Sequence, residues 1–456
     1  MTEAERLAVF VHRARWDDLS EPAREALKIR ILDSLGCAVG ALAAEPIAAA
    51  RRQVEEFGGA PLCTLIGGGR SAPDRAAFLN GALVRHLDFM DAYLAKGETC
   101  HPCDNLAPVL AAAEYARADG KTLMTALAVA YQVQARLSDE APLRDRGFDH
   151  TTQGAFSVAA GVAKALGLDA AHAIALGGVD AVGLRVTRTG ALSHWKGLAF
   201  AHTAFGATQA AFLAMRGVTG PLEVFEGVGG FEQSVSGPFH IDWEREDLER
   251  VLRTIVKKYN AEIHGQSAVD AALDLRARHG FAGADVAQVE VDIFDVAHLI
   301  IGGGEEGDKR LVRTKEQGDH SLPYMIAAAL LDGELLPAQY APERLGAADV
   351  QDLLRRVTIR PDPGFSARFP EELPCRVAVT LKDGRRLELE ARDYEGFHTR
   401  PASWDEVEKK FHALCEPFAP AEARAAIVDA VSRLEALKVE DLTKTLARVP
   451  PPGRRA

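Results

Sequence analysis

Cysteine is scarce: there are six in 456 residues. That is too few for a disulfide framework. Four stand alone (Cys37, Cys63, Cys375, Cys415), and the expectation is reduced thiols in a cytoplasmic setting. Excess positive charge is absent too. Lys and Arg number 53 against 65 Asp and Glu, a net charge of −12, which argues against a nucleic-acid-binding surface. No apolar run approaches the ~18 residues that a membrane helix needs, so no membrane partner is expected. The opening MTEAERLAVFVHRARWDD is charged at once and lacks the apolar core of a signal peptide.

What is present is ordinary globular composition, 47% hydrophobic and 26% charged. To about Arg278 the text is rich in Ala, Leu and Gly, with apolar residues three or four apart. This predicts helices at Glu21–Leu42, Lys121–Leu137 and Gln153–Leu166, with Gly167 and Gly217 as C-caps. The character changes near 280. Val289–Phe294, Val357–Arg360, Arg376–Lys382 and Arg386–Arg392 alternate like strands, the last two around the hairpin signal Asp383-Gly384. A helix is predicted at Leu322–Leu331. Ser403-Trp404-Asp405-Glu406 is a capping box opening a helix to about Cys415, followed by one over Ala421–Leu437. The tail PPPGRRA should fray. The expected fold is mainly α: a helical bundle domain (1–265), an inserted smaller α+β lid domain (266–400), and C-terminal helices (401–456) returning to the bundle.

Five basic residues each fall beside a predicted helix start: His101, His150, Lys196, His264 and His320. A helix N-terminus offers free N–H donors and partial positive charge, and an adjacent His or Lys adds a directed donor or proton source. Converging, such ends would hold a small polyanion; taken singly, each is a solvated loop residue. Asp88 and Asp91, three apart near a helix end, could orient a His, act as base or bind a metal; the alternative is two solvated acids opposing the helix dipole. Cys100-His101-Pro102-Cys103 has thioredoxin-motif spacing but no strand before it and no second Cys pair. Gly67-Gly68-Gly69 and Gly302-Gly303-Gly304-Glu305-Glu306-Gly307 match no phosphate-binding fingerprint. Lys309, Arg310, Arg313 and Lys315 follow and could clamp carboxylates, or form a solvated basic stretch. Lys257 and Lys258 fall at the domain boundary.

Asn80-Gly81-Ala82-Leu83-Val84-Arg85-His86-Leu87-Asp88-Phe89 and Asp91-Ala92-Tyr93 resemble the MmgE/PrpD family. So do His101-Pro102 with Asp104-Asn105, Gly147-Phe148-Asp149-His150, Trp195-Lys196-Gly197, Lys257-Lys258-Tyr259-Asn260-Ala261-Glu262-Ile263-His264 and Asp319-His320-Ser321-Leu322-Pro323. The likeness runs from Ser34-Leu35-Gly36 to Ser403-Trp404, nearly the whole chain. That family includes 2-methylcitrate dehydratase, cis-aconitate decarboxylase and an iminodisuccinate epimerase. The resemblance implies a helical domain plus a lid, a homodimer, no required metal or organic cofactor, and an active site at the domain junction. It implies that Asp91, His101, His150 and Lys196 belong to that site, with Lys257 or Lys258 nearby. His264 and His320 match family motifs. The sequence departs from the pattern at Cys100 and Cys103, where relatives often have Thr or Ser, and at Asn260, often Pro. Glu262-Ile263-His264 resembles the dehydratase-like branch.

These family reactions share carbanion character beside a carboxylate, which calls for cationic donors and a tuned acid or base. The expected roles are His101 for proton transfer, Asp91 to orient it, His150 and Lys196 to hold carboxylates, and Lys258 to close the pocket. Lys257, His264, His320, Arg310, Lys315 and Asp88 are further candidates for substrate binding. The expected function is a metal-independent lyase of a di- or tricarboxylate, most simply a hydro-lyase acting on 2-methylcitrate. The alternatives are a decarboxylase, an epimerase, a metal-dependent hydrolase built on Asp88, Asp91, His101 and Asp104, or a non-catalytic carboxylate-binding homologue.

Overall fold

A computed structural model describes residues 1–304 and 307–451. Glu305 and Glu306 of the Gly-rich run, and the tail from 452 on, lie outside the described residues. The chain is mainly α. Helices α1 (Glu3–Arg13), α2 (Glu21–Gly40) and α3 (Glu45–Phe57) lead to a short hairpin, β1 (Cys63–Thr64) and β2 (Arg70–Ser71). Then come α4 (Pro73–His86), a second hairpin, β3 (Tyr93–Leu94) and β4 (Thr99–Cys100), and helices α5 (Leu106–Tyr115), α6 (Gly120–Glu140), α7 (Thr151–Leu166), α8 (Ala170–Val179) and α9 (Trp195–Ala214). Next are α10 (Gln266–His279), β5 (Val286–Ile293), α11 (Asp295–Ala297), α12 (Lys315–Gly318), α13 (Leu322–Asp332), α14 (Pro342–Leu345) and α15 (Ala348–Leu354). The chain closes with β6 (Val357–Pro361), α16 (Pro363–Ser366), β7 (Cys375–Leu381), β8 (Arg386–Ala391), α17 (Trp404–Cys415), α18 (Ala421–Ser432) and α19 (Val439–Leu446).

Two compact units result. Of the described residues, the first holds 1–187, 197–254 and 403–451; the second holds 188–196, 255–304 and 307–402. The sequence places 188–196 and 255–265 in the helical domain, but both cluster with the α+β unit. Backbone bonding explains the second segment. Val256 N–H donates to Gly396 O, Asn260 N–H to Leu335 O and Glu262 N–H to Asp319 O.

In the helical unit small residues permit close packing. α6 packs on α7, α7 on α8, α4 on α5, and α17 on α2. A Cβ at Gly36 would lie 3.2 Å from the Phe411 backbone, and one at Gly154 only 2.3 Å from the Phe200 ring. The two short hairpins, β1–β2 and β3–β4, are missing from the sequence expectation, because two-residue strands carry no readable alternation.

The α+β unit carries a four-stranded sheet of order β6-β5-β7-β8. β5 and β6 are parallel, and β5–β7 and β7–β8 antiparallel. α10 and α13 pack on it. Beyond the last β7–β8 pair, Thr380–Arg386, Leu381 N–H donates to Arg385 O, so the connection is longer than the two-residue turn expected; Gly384, at φ +90°, supplies the left-handed step. Ser321 caps α13 by accepting from Tyr324 N–H. α10 begins at Gln266, and His264 lies in a preceding 3-10 turn. Among the described residues, no single helix is long and apolar enough to cross a membrane.

Candidate active site

In the helical unit the site is built on the end of α4, the β3–β4 hairpin and the start of α7. α4 ends at His86, so Asp91 lies beyond the helix and shares no helical face with Asp88. The chain turns at Asp88, which holds φ +56° while buried, a sparsely populated conformation for a non-glycine residue. Arg85 Nη1 pairs with Asp88 Oδ1 at 2.7 Å, and its Nε lies 3.7 Å from Asp104 Oδ2. Asp88 and Asp104 thus share one guanidinium, and the ion pair of Asp88 with Arg85 offsets the expected conflict with the helix dipole. Among the described residues, Asp88, Asp91, His101 and Asp104 do not gather three ligand atoms in one place, so the hydrolase metal set is not formed.

Asp91 is completely buried. Its carboxylate accepts from Cys103 N–H at 3.0 Å and from the Tyr131 hydroxyl at 2.7 Å. Burial pushes its pKa up, against the pull of these two donors and of Arg30. Orientation of His101 falls instead to the Asp91 main chain, whose carbonyl oxygen lies 2.9 Å from His101 Nδ1. A carbonyl only accepts, so Nδ1 carries the hydrogen and Nε2 becomes the atom that takes or gives a proton. The expected role of the Asp91 side chain is corrected accordingly: its two oxygens face the Cys103 amide and Tyr131.

His150 precedes α7, and its ring stands edge-on to that of His101, with centroids 5.5 Å apart. Phe200 of α9 stacks on His150 at 6.2 Å. The absent side chain at Gly154, one turn into α7, makes room for Phe200. Glu98, between β3 and β4, ties the His101 hairpin to the loop leading to His150: its carboxylate accepts from Thr99, Leu143 and Arg144 N–H. Burial raises its pKa to about 7. Cys100 and Cys103 are buried free thiols, and burial pushes both pKa values well up, so CHPC is packing around His101.

The α+β unit gathers a second set. Lys196, in the first turn of α9, lies 2.8 Å from Asp319 Oδ1 and 2.9 Å from His320 Nδ1. Lys315 reaches the other Asp319 oxygen at 2.6 Å. Burial alone would raise the Asp319 pKa, but Lys196, Lys315 and His320 hold it well below the usual carboxylate range. His264, fully buried, is fixed by Glu262: Nδ1 lies 2.8 Å from Oε1, and the His264 amide donates to Oε2 at 2.8 Å. Phe294 and Phe369 flank the His264 ring at 5.7 and 5.8 Å. Against its own burial, Glu262 is lowered to about 2 by His264, His320 and Lys257.

Two expectations change here. Lys258 is exposed and pairs with Asp270 at 2.9 Å and Glu395 at 3.6 Å; the fully buried lysine is its neighbour Lys257, whose charge acts on Glu262. Arg310 is exposed, with Nη2 3.4 Å from Val357 O, and joins neither set. Of the basic stretch, Lys315 reaches Asp319, while Lys309 is buried beside a cavity of about 210 Å³ that Gly190, Ala191 and Leu192 also line. The residues missing from the expected site are Asp319, Glu262, Tyr131, Arg85 and Glu98. Asp319 and Glu262 adjoin singled-out histidines, a signal that was available; Tyr131 and Glu98 carry none.

The MmgE/PrpD N-terminal domain matches residues 5–244 and the MmgE/PrpD C-terminal domain matches 259–435. The 2-methylcitrate dehydratase of Escherichia coli (strain K12) is 31% identical over 357 residues, 72% of each chain. That of Cupriavidus necator is 30% identical over 403 residues, 81% of each chain. The cis-aconitate decarboxylase of Homo sapiens is 25% identical over 473 residues, 98% of this chain and 95% of its own. The chain belongs to the MmgE/PrpD family.

Proposed function

We propose that this protein is a carbon–oxygen lyase that dehydrates 2-methylcitrate or a closely similar hydroxy tricarboxylate, without a metal or organic cofactor, as a homodimer in the cytoplasm. One observation carries the reading: the Asp91 carbonyl fixes the hydrogen of His101 on Nδ1 and so presents Nε2 for proton transfer. Nε2 takes the proton from the carbon beside a substrate carboxylate. The electron pair left on that carbon forms the new C=C bond as the C–O bond to the neighbouring carbon breaks. The departing hydroxide takes that proton back from the protonated His101 ring and leaves as water, which returns His101 to its starting form. His150 steadies a carboxylate beside His101. In the α+β unit Lys196, Lys257, His264 and His320 form a set of donors suited to carboxylates, and Asp319 and Glu262 aim Lys196, His320 and His264. The relatives named 2-methylcitrate dehydratase support this choice of substrate.

A second reading is decarboxylation of cis-aconitate. The relatives named cis-aconitate decarboxylase match nearly the full chain, at lower identity. The test follows ultraviolet absorbance of the conjugated alkene with chelator-treated protein on 2-methylcitrate, citrate and cis-aconitate. Rising absorbance on 2-methylcitrate is the expected result. Falling absorbance on cis-aconitate with carbon dioxide release would replace the first reading with the second. Activity that vanishes with chelator and returns with a divalent metal would overturn the metal-independent part.

A further inference from the structure

We propose that Lys410, on the C-terminal helix α17, is a positioning residue that sets the orientation of His101 by clamping the loop whose carbonyl at Asp91 holds that ring. The inference rests on the acid–base role given to His101 above.

α17 presents Val407, Phe411, Leu414 and Cys415 to the core, and Lys410 borders this stripe. Gly36 of α2 lets the Phe411 backbone come within 3.2 Å of where a Cβ would stand, and this close approach draws the two helices together. Asp33 lies on α2 one turn before Gly36 and is buried. Lys410 Nζ reaches Asp33 Oδ1 at 2.7 Å, donates to the Phe89 carbonyl at 2.6 Å, and lies 3.8 Å from the centre of the Phe89 ring. One ammonium therefore makes three contacts, two of them to the loop between the strained Asp88 and Asp91. Two residues on, the Asp91 carbonyl receives His101 Nδ1. A buried ion pair is a poor source of net stability, because desolvation offsets the attraction. Here it adds a tie at Phe89, between Asp88, which Arg85 holds, and Asp91, which the Cys103 amide and Tyr131 hold. Asp33 feels Lys410, Arg30 and Asp91 among its charged surroundings, with burial pushing its pKa up. Lys410 is accordingly needed as a cation for two reasons, to neutralise Asp33 and to hold Phe89.

The test separates stability from positioning. Lys410→Met should lower both the Tm and kcat, since it leaves Asp33 without its cation. The double variant Asp33→Leu with Lys410→Met removes both charges in similar shapes, and should recover most of the lost Tm. Its kcat should stay about tenfold or more below wild type, with KM little changed, because the Phe89 carbonyl is still unheld. Lys410→Arg, which keeps cation and donors, should restore much of kcat. Imidazole ¹⁵N NMR, with the His101 signal assigned by its loss in His101→Gln, should show the Nδ1–H form in wild type and a mixture of tautomers in the double variant. If kcat returns together with Tm in the double variant, or the tautomer is unchanged there, Lys410 is only structural and the proposal fails. If His101→Gln keeps full activity, the acid–base reading fails instead, while the NMR arm still reports whether Lys410 sets the ring.

Discussion

At the scale of single residues, the site depends on which atom of a side chain is engaged. His101 is useful as an acid–base group because its Nδ1 faces a carbonyl. His101→Ala should lower kcat by ~10²–10⁴-fold, the usual contribution of such a group, measured on whichever tricarboxylate is turned over. Glu98 offers a pH test. Its pKa rises from 4.5 to about 7 in the fold, so the native state binds more protons than the unfolded chain between those values. Its contribution to stability is complete below about 4.5 and is lost as pH rises through about 7, a change of about 3 kcal/mol for a shift of that size. In a Tm series from pH 5 to 8, wild type should therefore lose stability faster than Glu98→Gln. Parallel slopes would show that Glu98 does not titrate in this window.

At the scale of elements, two glycines have opposite consequences. Gly154 in α7 faces Phe200 at a distance that no Cβ can share. Gly154→Ala should cost about 1–3 kcal/mol by overpacking, and should also lower kcat, because Phe200 stacks on His150. Gly384 turns the β7–β8 connection at φ +90°, with nothing near its missing Cβ. Gly384→Val should cost roughly 1 kcal/mol or more through backbone strain and leave kcat and KM unchanged. Denaturant midpoints with parallel kinetics distinguish the two cases.

At the scale of the whole molecule, the net charge is −12, yet basic side chains collect around buried carboxylates in both units. Binding of a tricarboxylate should raise the Tm, by an amount that corresponds to about 2.7 kcal/mol at a hundredfold excess over Kd. Lys196→Ala should lose most of this shift. It should also lower the starting Tm, since buried Asp319 then loses its bond to Lys196. A full ligand shift in that variant would remove Lys196 from the binding set.

The mainly helical character, the strands of the α+β unit and the histidines and lysine near helix starts are legible in the sequence. Each of these depends on spacing within a few residues: periodicities of 3.6 and 2, a capping Ser, a turn glycine. The tertiary structure alone decided which side chains meet. Asp91 and Tyr131 are 40 residues apart, Lys196 and Asp319 are 123 apart, and Lys410 reaches a carbonyl 321 residues earlier. Local propensity is blind to such pairs, because packing between distant segments creates them. The same limit explains the exchange of Lys258 for Lys257. Adjacent residues share composition and neighbourhood, and only the path of the backbone decides which ammonium points to solvent and which lies beside Glu262.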